Sequence, residues 1–204
     1  MDRATKLALL SVCAGCLIVL LGLPVTASAD PFTVDQFNTV GGGPFQSIQL
    51  LGPMGQEFTP TLNSLSDVEL TTEDFDVSHS AGATLTVFIH EGGLGGNVIA
   101  LSAVVLGNGF SGVTHFDFGL TNLVAGNLYV LEVRANGDNW AVLSGGDNYA
   151  GGRQIFQGVP NATVDLWFRE GAPALPAVPE PASLVLLGSG VLMGVRRLRF
   201  KVKG

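Results

Sequence analysis

Much of the chain is written in short stretches where apolar and polar positions alternate, a period of two that belongs to a pleated strand rather than a helix. Residues 84–90 put Leu85, Val87 and Ile89 on one face and Thr84, Thr86, Phe88 and His90 on the other. Residues 163–169 put Val164, Leu166 and Phe168 inward, with Thr163, Asp165, Trp167 and Arg169 outward. Further strands are predicted at 45–51, 57–59, 65–71, 98–106, 113–118, 128–134 and 140–144. Between them fall turn-forming clusters such as Gly92-Gly93-Leu94-Gly95-Gly96-Asn97, Gly107-Asn108-Gly109, Asn136-Gly137-Asp138 and Gly145-Gly146-Asp147-Asn148. No window predicts an amphipathic helix longer than a turn or two. The expectation is an all-β fold, an antiparallel β-sandwich spanning 30–170 as one domain.

Both ends depart from this pattern. Arg3 and Lys6 precede an apolar run at 7–23, followed by Pro24 and by Ala27-Ser28-Ala29. That is the layout of a signal peptide over 1–29, an apolar helix cleaved after Ala29 on export by the Sec machinery. An uncleaved anchor is the alternative, and Pro24 and the Ala27-x-Ala29 site favour cleavage. Cys13 and Cys16 both lie in this segment. Acylation at Cys16 does not fit, because the apolar run continues past it. The chain from Asp30 onward has no cysteine, which removes thiol nucleophiles, disulfides and Cys-based zinc sites.

At the other end, residues 171–178 form a Pro/Ala linker, expected to be extended and to close the folded domain. Pro179-Glu180-Pro181 follows, then an apolar run at 182–195, then Arg196, Arg197 and Arg199 with Lys201 and Lys203. The apolar run is short for a transmembrane helix and also fits a buried core helix. The arginines decide for the membrane, since they snorkel and extend a short span. This order over 179–204 resembles the PEP-CTERM sorting signal of Gram-negative bacteria that make exopolysaccharide. The resemblance implies recognition of Pro179, Glu180 and Pro181 by an exosortase-type enzyme, an inner-membrane-anchored precursor, and delivery to the cell surface or extracellular matrix. Segments of this kind also carry the label of an ice-binding protein C-terminal domain, which describes the tail's company rather than the domain's activity.

Charge sharpens the division. Seven of the ten basic residues lie in the two ends, leaving Arg134, Arg153 and Arg169 between residues 30 and 178. Fifteen of the seventeen acids lie in that same stretch, which contains no lysine. So acidic a domain repels phosphate backbones, and nucleic acid is excluded as a partner.

Catalytic chemistry finds little footing. His79, His90 and His115 have no metal-ligand spacing and read as surface residues, and Gly109-Phe110-Ser111-Gly112-Val113 fails as a nucleophile elbow. Glu73, Asp74 and Asp76 fit a solvated acid loop, with paired-carboxylate catalysis or calcium as the sharper alternatives. No catalytic residue, cofactor or metal site is assigned. The strand order also resembles jelly-roll domains like carbohydrate-binding modules, through Gly55-Gln56-Glu57-Phe58-Thr59, the stretch at 88–93, the stretch at 123–132 and the stretch at 145–152. Trp167 on a polar strand face, with Trp140, Asp147 and Tyr149, is the candidate ligand site, because a sugar face takes aromatic rings beside polar groups. The reading is a non-enzymatic envelope protein that contacts exopolysaccharide. A glycan-acting enzyme using Glu73 and Asp76, or a purely structural envelope protein, is the alternative.

Overall fold

The computed structural model describes residues 32–174, apart from 77, 79–81 and 138. These belong to one of two compact units, Pro31–Gly204. The signal segment with Ala27 and Ala29, the sorting residues Pro179, Glu180 and Pro181, the apolar run, Arg196, Arg197, Arg199 and also His79 lie outside the described residues. Among the described residues no helix is long and apolar enough to cross a membrane.

The described strands are β1 (Phe32–Asn38), β2 (Phe45–Ser47), β3 (Met54–Phe58), β4 (Ser64–Asp74), β5 (Ala83–Glu91), β6 (Val98–Leu106), β7 (Ser111–Asn122), β8 (Tyr129–Gly137), β9 (Trp140–Leu143), β10 (Gln154–Phe156), β11 (Val159–Asn161) and β12 (Phe168–Pro173). They form two antiparallel sheets, so the all-β expectation holds. The first sheet has the order β1-β12-β4-β9-β2, and β7 also pairs with β4. β12 pairs with β4 from Asp67 to Leu70 and β9 from Thr72 to Asp74, so the two share one side of it. The second sheet has the order β11-β10-β3-β8-β5-β6.

Alternation places the core. Val68 and Leu70 of β4, Phe116 of β7 and Phe168 of β12 meet Met54 and Phe58 of β3, Leu85, Val87 and Ile89 of β5, and Leu131 and Val133 of β8. Each such side chain, taken fully out of water, contributes roughly 1.5–3 kcal/mol. The outward residues of β4, which are Asp67, Glu69, Thr71 and Glu73, are left to build the opposite face.

Three expectations are corrected. Residues 163–167 are not strand: beyond an isolated bridge between Leu166 and Ser144, this segment is turn and irregular chain, and Asp165 points inward, not outward. Gly171, Ala172 and Pro173 are not linker, because they extend β12 and pair with Val34, Thr33 and Phe32 of β1. Proline is tolerated there because it closes the strand. Residues 48–51 leave β2 as a turn, and Leu51 N–H donates to Ser47 O at 3.1 Å.

Candidate functional site

The register of the first sheet lines up four chemically distinct side chains. Phe37 of β1 is opposite Arg169 of β12, Arg169 is opposite Glu69 of β4, and Glu69 is opposite His115 of β7. The next rung, Asn38, Phe168, Leu70 and Thr114, is buried, so the pleat turns the first rung outward. Arg169 Nη1 donates to Glu69 Oε2 at 2.9 Å, and His115 Nδ1 lies 3.8 Å from Glu69 Oε1. His115 Nε2 is 2.8 Å from Asp67 Oδ1, and the Ser66 hydroxyl donates to the other Asp67 oxygen. The Phe32 ring sits 5.4 Å from the Arg169 guanidinium carbon and 6.1 Å from the His115 ring. The result is a charged row with paired carboxylates, ending at Phe37, which is 56% exposed.

Trp167 immediately precedes β12. It stands between the buried Leu166 and Phe168, is itself half-buried, and is fixed by its N–H to Leu143 O at 2.9 Å. β12 begins at Phe168, so the strand alternation that turns Arg169 outward does not extend back to Trp167. Of the four aromatic and acidic residues expected to converge, Trp167 is half-buried and lies outside a strand rather than on a polar strand face. Trp140 is corrected: its exposure is 0%, and it stacks on Phe110 in the core at 6.4 Å. Tyr149 is likewise buried, edge-on to Phe168 at 5.2 Å, with its hydroxyl oxygen accepting the Thr59 N–H at 3.0 Å. Burial pushes its phenol up to about 12, so it stays neutral. Asp147 is exposed on the loop held by Asp165, and nothing brings it to Trp140.

The other titratable clusters are occupied by structural bonds. His90, expected at the surface, is buried: Nε2 meets Glu132 Oε2 at 2.9 Å and Nδ1 faces Gly96 O at 3.3 Å. Arg134 closes a fork on the same carboxylate, with both N–H···O distances 2.8 Å, and its guanidinium lies 4.6 Å from the Phe88 ring centre. The Glu132 carboxylate in turn holds Arg134 above its usual range. With both oxygens engaged, Glu132 is not free for acid-base work. Asp74 is similarly committed, accepting the Asp76 N–H at 2.9 Å and the Gly109 N–H at 2.8 Å, while the carboxylate of Asp76 accepts from Ser78. Glu73 faces outward, away from Asp74. Sequence alone missed Phe37, Glu69 and the His90–Glu132 pair, because cross-strand neighbours carry no spacing signal.

Comparison with known proteins bears on the tail rather than on this face. No curated protein matches the chain. Two solved structures from infectious bursal disease virus, the VP2 subviral particle and the Gx strain, share 17% identity with it at TM-scores of 0.26 and 0.22. They cover 84% and 85% of this chain, which spans about half of theirs, 48% and 49%. Likeness at that level carries no argument. Residues 177–199 match the PEP-CTERM protein-sorting motif. The chain therefore carries the signal of an exported protein processed by an exosortase, with a membrane-anchored precursor.

Proposed function

We propose that this chain is a non-enzymatic envelope protein, delivered to the cell surface or matrix of a Gram-negative bacterium, whose sandwich holds a neutral extracellular polysaccharide. The observation that carries the binding half is Phe37, exposed and in direct register with Arg169. Large apolar rings kept in water beside charged donors and acceptors are what a sugar requires, since it offers an apolar ring face and a hydroxyl rim. The domain's excess of acid favours a neutral glycan over an anionic one. Asp67, Glu69, His115 and Arg169 are joined by ion pairs in the row that Phe37 ends, an arrangement suited to binding rather than to turnover.

The test is retention of the full chain on immobilised neutral and anionic polysaccharides, with Phe37→Ala and Trp167→Ala alongside. At least tenfold weaker retention of each variant on a neutral glycan is expected, with unchanged unfolding midpoints. Absence of retention on every neutral glycan defeats the reading. For the sorting half, Glu180→Ala should leave the chain in the membrane fraction at precursor mass in a strain that has an exosortase. Continued processing of that variant would remove the proposed role of Pro179-Glu180-Pro181.

A further inference from the structure

We propose that β6 is a self-association edge, pairing antiparallel with β6 of a second copy about a twofold axis at Ala103 so that two sheets become one. β6 is the terminal strand of its sheet, bonded to β5 along one side. An open strand edge is normally blunted by charge, proline or a bulge. Here residues 100–106 hold no charge, proline or glycine, and the bulge lies beyond them, where Ile89 pairs with Ala100 and His90 with Val98. The bulge ends the flat stretch and leaves seven regular residues for pairing.

The side chains are self-complementary in that register. Leu101, Ala103 and Val105 all face outward, and Leu101 and Val105 are 58% and 80% exposed. With the axis at Ala103, Leu101 meets Val105 of the partner subunit and the reverse, while the small Ala103 side chains meet at the centre. An isologous contact must be built this way, each patch serving as its own complement. Charge selects a second copy as well. The sequence from 92 to 116 contains no Asp, Glu, Lys or Arg, although residues 32–174 carry fourteen acids against three arginines. Two such acidic domains repel one another over most of their surface and least along this edge.

Sedimentation velocity of the full chain across a concentration series tests this, with Leu101→Lys and Val105→Lys as separate variants. The native chain should dimerise, and more tightly as salt screens the acidic surfaces. Each single variant should weaken the dimer at least tenfold while its circular dichroism is unchanged, since both side chains are solvent-facing. Combining Leu101→Lys with Val105→Glu should restore the dimer, because the opposite charges then face one another twice across the axis. A native chain that stays monomeric overturns the proposal, and so does an assembly indifferent to both single variants. A double variant that remains monomeric overturns the register at Ala103.

Discussion

The side-chain amide of Gln56 donates to Asp165 at 2.9 Å inside the sandwich, and its carbonyl oxygen accepts the Leu166 N–H at 2.8 Å. Asp165 also accepts the backbone N–H groups of Asn148 and Tyr149, at 3.0 and 2.9 Å. One buried carboxylate thus ties β3, the 145–149 loop and the entry to β12 into a single unit. The Gln56 amide also reaches Glu57 O at 3.1 Å and the Asn148 N–H reaches Gly146 O at 3.0 Å, so removing the carboxylate takes a bond from each of these and leaves the buried Tyr149 N–H to find another acceptor. Asp165→Ala is expected to cost about 2–3 kcal/mol, read as a lower urea midpoint. Asp147→Ala, at an exposed position of the loop that Asp165 holds, should change the stability by less than about 0.5 kcal/mol.

Glu170 sets a pH dependence. It is fully buried, next to Asp35, and among the described residues neither carboxyl oxygen has a partner of good geometry. Burial, reinforced by the Asp35 charge and offset little by the Gln36 N–H, pushes its carboxyl up to about 9. The folded chain therefore keeps a proton that the unfolded chain gives up near pH 4.5. Its contribution is complete below that point and is lost as pH rises toward 9. Glu170→Gln keeps the shape without the proton, and should stabilise the fold at pH 8 by on the order of 3 kcal/mol while changing little at pH 4. Equilibrium unfolding of both proteins from pH 4 to 9 checks the difference in slope.

The His90–Glu132–Arg134 cluster predicts an order of effects. Glu132 and His90 are buried, whereas the Arg134 side chain is 59% exposed. Glu132→Ala strips the partner from an enclosed imidazole and should cost about 3 kcal/mol. Arg134→Ala gives up a screened ion pair and a contact on Phe88, worth about 1 kcal/mol together. Chemical denaturation of the two variants and their double mutant measures both. An Arg134→Ala cost equal to that of Glu132→Ala would show that the fork, not the buried pair, holds the sheet.

How far the sequence reaches is clearest from particular strands. β6 falls at 98–106 as expected, and Leu85, Val87 and Ile89 face the core, because steady alternation is recorded in the residues themselves. β1 was not legible: a register shift between Val34 and Gln36 breaks the period, so its apolar positions 32, 34 and 37 do not alternate. β10 and β11 have three residues each and turn through Gln157 at φ 48° and Gly158 at φ 79°, with glutamine where glycine or asparagine gives the usual signal. Trp140 opens Trp-Ala-Val-Leu, an all-apolar strand with no polar position to mark its outer face. Asp165 looked solvent-facing by alternation, and the donors that draw it inward come from positions up to 109 residues away. The Phe37 to His115 row is invisible for the same reason, since it exists through pairing alone.

Gly55 offers the last test. It lies in β3 opposite Glu132 of β8, and a Cβ built there would sit 2.1 Å from Leu131 O and 3.1 Å from the Glu132 Cα. Both contacts are backbone atoms of a paired central strand, so neither can swing aside as a flexible side chain would. Even one methyl group must push β3 away from β8 and break their ladder, which joins β10 and β11 to the rest of the second sheet. Gly55→Ala should therefore cost about 3 kcal/mol or more, with faster hydrogen exchange at the amides of β3 and β8. Gly41→Ala is the control, because a Cβ there meets nothing within 4 Å. If the two variants unfold at the same denaturant concentration, the close approach at Gly55 is relieved by a small shift of the sheet, and the strand pairing is looser than its register implies.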